Sequence, residues 1–81
     1  MAVNRKGNMK RYQVITYDPH CGADEKLAYA TKKEAERVAQ DYRLVENYDG
    51  ALVYDLQNKK VISIHGYIPY ASMPEECKEG V

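Results

Sequence analysis

Residues Thr31 to Gly50, TKKEAERVAQDYRLVENYDG, decide the fold, because they carry the most explicit helix signal in the chain. Thr31-Lys32-Lys33-Glu34 has the form of a capping box: Thr31 accepts from the N–H of Glu34 while the Glu34 side chain reaches back to the N–H of Thr31. Both donors would otherwise be orphaned in the first turn. Ala35, Val38, Ala39, Tyr42 and Val45 then recur at helical spacing and form one apolar stripe, leaving Lys33, Glu36, Arg37, Gln40, Asp41 and Arg43 for water. A stripe on one side implies one packing partner, and its small first residues let that end of the helix lie close to a sheet. Asn47-Tyr48-Asp49-Gly50 ends the helix.

On the N-terminal side, Lys10 to Tyr17 (KRYQVITY) is rich in β-branched and aromatic residues and stops at Asp18-Pro19, where the missing proline N–H interrupts a ladder. Lys26 to Ala30 (KLAYA) reads as its antiparallel partner, across a connection of about eight residues. On the C-terminal side, Ala51 to Leu56 and Val61 to Tyr67 read as a hairpin. A three-residue loop, Gln57-Asn58-Lys59, places Leu52, Tyr54, Ile62 and Ile64 on one face and leaves Lys59 at a left-handed φ better suited to glycine. The opposite face carries Val53, Val61 and His65. With one helix for four strands, this second face is solvated, covered by the C-terminal tail, or an interface.

The order ββαββ gives an α+β domain, a small and mostly antiparallel four-stranded sheet with one helix packed on one face. The 81 residues allow a single modest core, which we place in residues 10–70. Residues 1–9 read as a flexible basic arm, with Met9 as an alternative start. Residues 71–81 read as an acidic tail, where Ser72 to Glu75 could cap one short helical turn. No segment approaches the ~18 continuous apolar residues of a membrane span. Two cysteines are too few for a secreted disulfide framework, and no apolar run of signal-peptide type opens the chain, so a cytoplasmic protein with free thiols is expected.

Tyr17 to Glu25, YDPHCGADE, is the stretch that looks most like chemistry. His20 and Cys21, with His65 and Cys77, supply the inventory of a Cys2His2 zinc site, but adjacent ligands do not match its paired spacing, and Asp18, Asp24 and Glu25 do not follow a calcium-loop pattern. Cys21 activated by a histidine would need a pocket that so small a domain hardly provides. The chain has no phosphate-binding glycine loop, G-x-S-x-G, H-E-x-x-H or C-x-x-C. No cofactor, no metal and no enzymatic activity are therefore expected, and YDPHCGADE reads as a strand connection held by Asx-type turns.

A binding role remains. Eight tyrosines with no Phe and no Trp suit half-buried surfaces or surfaces that become buried on binding. The candidate interface residues are Tyr12, Tyr17, His20, Tyr29, Val53, Val61, His65, Tyr67 and Tyr70. Lys10 to Tyr17 or Val61 to Tyr67 could also serve as an edge strand that adds to a partner's sheet. A protein partner, whether a host protein or a second copy in a homodimer, is the leading expectation. Single-stranded nucleic acid ranks below it, because the formal net charge is zero and no RNP-like strand is present.

The order of a strand ending in YDP, a T-x-x-E-A helix and the phrase DGALVYDLQNKKVI resembles short single-domain proteins of phages and mobile elements of Gram-positive bacteria, over Tyr12 to Gly66. That resemblance implies no catalytic residue. It implies a binder, including the inhibition of host defence enzymes such as CRISPR nucleases.

Overall fold

The computed structural model describes residues 10–79. The basic arm, 1–9, and the last two residues of the tail lie outside the described residues. Four strands, β1 (Tyr12–Asp18), β2 (Gly22–Tyr29), β3 (Gly50–Asp55) and β4 (Lys60–Gly66), form one antiparallel sheet in the order β2-β1-β3-β4. Helix α1 (Lys32–Leu44) connects β2 to β3, which run parallel to each other with β1 between them. The ββαββ reading therefore holds, with one revision. Both central positions belong to β1 and β3, so Lys10 to Tyr17 is not an edge.

Helix α1 starts at the expected residue with one half of the expected capping box: among the described residues the return bond from Thr31 N to the Glu34 carboxylate is not made. Thr31 is extended at φ −119°, and its Oγ1 accepts from Glu34 N at 3.2 Å. Ala35 and Ala39 are fully buried against Val14, Ala51 and Val53, and three facing alanines are what bring the helix close to the strands. Val38 and Tyr42 close the flank of this core. Val45 departs from the expected stripe. It is the C-cap and is 70% exposed, because the chain leaves the helix there and Asn47 turns it at φ 64°.

The β1–β2 connection is much shorter than expected. Asp18 pairs with Gly22, leaving only Pro19, His20 and Cys21 in the turn. Cys21 N donates to Asp18 O at 3.1 Å, His20 N donates to Asp18 Oδ1 at 2.8 Å, and Gly22 takes φ 80°. Proline presets φ at the first corner of the turn, and glycine closes it in the left-handed region at no Cβ cost. The second strand thus begins at Gly22, and Asp24 and Glu25 belong to it rather than to a loop. A bulge in β2 lies opposite the step from Gln13 to Ile15, and the Gln13 side-chain amide donates to the carbonyls of Lys26 and Val14 there.

The β3–β4 hairpin corrects the expected register by one residue. Leu52 faces Ile64 and Val53 faces Ser63 as expected, but Tyr54 then faces Val61, so Ile62 is a bulge and the loop is Leu56–Lys59. The bulge exchanges two side chains: Val61 packs with Tyr54, while Ile62 turns to the helix side. Asp55 organises the loop, accepting on Oδ1 from Gln57 N at 3.0 Å and Asn58 N at 3.2 Å, while Lys59 N donates to Asp55 O at 2.7 Å. Lys59 sits at φ 56°, the left-handed position anticipated for it.

The second sheet face is covered by the C-terminal segment. Ile68, Met73 and Cys77 bury Ile15, Leu52 and Tyr54 in a core separate from that under α1, so the sheet has two cores rather than the single one expected, and the second extends past residue 70. A 3-10 turn at Tyr70–Ser72 and a short helix α2 (Glu75–Glu79) carry this cover. Helix α2 begins after Pro74 rather than from a Ser72 box, with Cys77 N donating to Pro74 O at 2.9 Å. Proline at the start of a helix loses no hydrogen bond, which explains the shift.

Candidate functional site

The nine candidate interface residues do not form one surface. Val53 is fully buried beneath α1 and is not available to any partner; the assignment fails because the helix packs on the face that carries Val53 and His65 rather than on the opposite one. Tyr12 and Tyr29 face each other across β1 and β2 and are half-buried at the margin of the helix core. Tyr17 and Val61 are half-buried at the margin of the second core. His20 is exposed on the β1–β2 turn beside the exposed Cys21, whereas Cys77 is buried and His65 lies on β4. Among the described residues no three His, Cys, Asp or Glu side chains come together as a metal site. No helix among them is long and apolar enough to cross a membrane.

Of the remaining candidates, His65 lies on β4 and Tyr67 directly follows it, while Tyr70 lies in the C-terminal segment against Lys78. Among the described residues β4 pairs only with β3, so its outer side offers unpaired backbone groups. Ile64, on the face away from α1, is 44% exposed, and the following Tyr67 and Tyr70 are 64% and 58% exposed. Gly66 at φ 78° ends the strand and lets the Arg43 side chain pack on it. The other edge also carries an exposed apolar side chain, Leu27, but is richer in charge. Strand β2 has its own bulge and presents Asp24, Glu25 and Lys26, charged residues of the kind that discourage a further strand.

On the α1 side of β4 lies a groove that sequence reasoning missed. Its larger part, about 580 Å³, is lined by Thr31, Lys33, Glu34, Glu36, Arg37, Gln40 and His65. His65 also lines a second hollow of about 190 Å³, shared with Gln40, Arg43, Leu44 and Gly66. Together the two extend along the flank of the helix. Within the groove Glu36 Oε1 accepts from Ser63 Oγ at 2.8 Å and lies 2.7 Å from His65 Nε2, which therefore carries the proton. A serine, a histidine and a carboxylate invite comparison with a hydrolytic triad, but the order differs. Glu36 stands between Ser63 and His65, so the imidazole is not placed to take the serine proton. The arrangement ties β4 to α1.

A second polar cluster sits at the other flank of the helix. Lys26 Nζ lies 2.8 Å from Asp24 Oδ2 and over the rings of Tyr42 and Tyr48, at 5.7 and 5.4 Å from their centroids. The hydrogen bond to Asp24, more than any other cause, lifts the ammonium to about 12. The tyrosines meet edge to face at 5.5 Å. This cluster fastens β2 to the end of α1 and explains two tyrosines without a binding role. No protein-family model matches the chain, and no curated protein or solved structure does either.

Proposed function

We propose that the protein is a non-enzymatic binding module that takes an extended segment of a protein partner along the outer edge of β4. One observation carries the reading: β4 is an edge with unpaired backbone groups that carries the exposed Ile64 and is followed directly by the exposed Tyr67. Strand addition supplies backbone hydrogen bonds for affinity and alternate side chains for specificity. The bulge at Ile62 limits regular pairing to Ser63–Gly66, so side-chain contacts must supply most of the selectivity. Both sheet faces are packed over by α1 and the C-terminal segment, which disfavours the stacking platform of a single-strand nucleic-acid binder. Two unpaired thiols suit a cytoplasmic setting. Obstruction of a host enzyme is one use such an edge could serve.

The test is capture of partners from a bacterial lysate by the wild-type chain and by Ile64→Lys, a change that places a typical edge-guarding residue on β4. A stoichiometric partner held by the wild type and lost by the folded variant supports the reading. A partner held equally by both refutes the assigned edge. Concentration-dependent dimerisation abolished by the same variant would make the partner a second copy.

A further inference from the structure

Building on the β4 reading, we infer that the segment received there is acidic where it faces α1 and apolar where it faces away. An added strand alternates its side chains across the sheet. One set would overlie the groove between α1 and β4, and the other would lie beside Ile64 and Tyr67.

The groove-facing stripe of α1 is Lys33, Arg37, Gln40 and Leu44, spaced four, three and four residues apart, so one helix face supplies it. Among the described residues Lys33, Arg37 and Arg43 make no ion pair. The groove also holds carboxylates, but Glu36 is already engaged by Ser63 and His65, and Glu34 stands in the first turn of the helix, where the backbone N–H groups favour a negative charge. Cations without partners beside a carboxylate already spoken for make the groove attractive to a further acid. Toward Gly66 the stripe ends in Leu44, which is exposed and would meet an apolar side chain instead. Phosphate could also satisfy the cations and accept from edge N–H groups, yet a nucleic-acid backbone lacks the regularly alternating donors that the edge carbonyls need to continue a ladder. The combination of edge and cations therefore favours a peptide.

The probe is an acetylated and amidated octapeptide of alternating Glu and Val, compared with its Lys/Val counterpart and with oligo-dT, each titrated into the full chain and followed by amide chemical shifts. The Glu/Val peptide is expected to shift Ser63 to Tyr67 together with Arg37 and Gln40, and to bind at least tenfold tighter than Lys/Val. Salt should weaken it, and the double variant Lys33→Glu/Arg37→Glu should reverse the preference. Equal binding of both peptides would overturn the acidic selectivity while leaving strand addition intact. Oligo-dT shifting the same amides more strongly would overturn the choice of a peptide. Failure of both peptides to shift β4 would overturn this inference, and loss or retention of the captured partner in Ile64→Lys would still judge the edge reading separately.

Discussion

Replacing Asp55 with asparagine preserves the shape of the side chain and removes the charge that holds the start of β1 to the β3–β4 turn. The Asp55 side chain is only 4% exposed, and Arg11 grips both its oxygens, with Nε and Nη2 donating at 2.8 Å to Oδ1 and Oδ2. This hydrogen bonding from Arg11 is the largest cause that holds the carboxyl near 2 rather than 3.8; burial opposes it, and the N–H groups of Asn58 and Gln57 assist. Because the folded state binds the proton more weakly than the unfolded chain, the stabilisation is fully present above about pH 4 and is lost as pH falls through about 2. A displacement of this size corresponds to about 2 kcal/mol, at about 1.4 kcal/mol per pH unit. Urea denaturation of wild type and Asp55→Asn should be compared from neutral pH down to about pH 2. The stability gap should be widest at neutral pH and shrink by about 2 kcal/mol at the acid end, since all other carboxylates titrate in both proteins. A gap that stays constant with pH would refute the argument that the charge, rather than the shape, anchors the turn.

Three further outcomes follow from the backbone and the two cores. Lys59→Gly should raise stability, since the left-handed φ costs a side chain roughly 1–2 kcal/mol and the extra freedom of unfolded glycine takes back roughly 0.5–1. The net gain of about 0.5 kcal/mol should appear as a rise of roughly 2–4 °C in Tm, and a fall would contradict the loop geometry. Gly50→Ala would press a methyl group onto the Tyr67 carbonyl and Ile68, and should cost about 1–3 kcal/mol in denaturant melts; a neutral effect would mean that the C-terminal segment is not seated there. An aromatic disulfide reagent near neutral pH should titrate one thiol quickly, the exposed Cys21, and the second only in denaturant, because burial pushes Cys77 up to about 11. Two fast thiols would mean that the tail does not cover the sheet.

Signals that act within a few residues were legible in the sequence. Thr31 marks the helix start; Lys59 does take the expected left-handed φ, although the loop is one residue longer than the parity argument made it. The turn Asp18-Pro19-His20-Cys21-Gly22 was equally local, yet the charges of Asp24 and Glu25 disguised it as a loop. On an edge strand those charges are compatible with pairing and discourage a further strand. What could not be read depends on residues distant in sequence. Which strand lies at the edge depends on the crossover, and the bulge at Ile62 depends on two cores competing for Val61 and Ile62. The groove was illegible for the same reason. Lys33, Arg37 and Gln40 look like an ordinary solvated helix face until β4 is set beside them.

The tyrosine usage has a physical account in this architecture. Tyr12, Tyr17, Tyr29, Tyr42 and Tyr48 are half-buried, and only Tyr54 is well inside, where burial raises the pKa of its hydroxyl. A narrow sheet covered on both sides has long margins, and a ring with a polar tip fits a margin better than phenylalanine does. Tyr67 is exposed directly after β4 and so enters the proposed interface, whereas the exposed Tyr70 packs with Lys78 of α2.

The central claim is that β4 is the working edge, and the capture comparison between the wild-type chain and Ile64→Lys tests it most directly. With the variant verified as folded by its melting curve, the account predicts a stoichiometric partner on the wild type and none on the variant. A partner retained by Ile64→Lys at the same stoichiometry would contradict it.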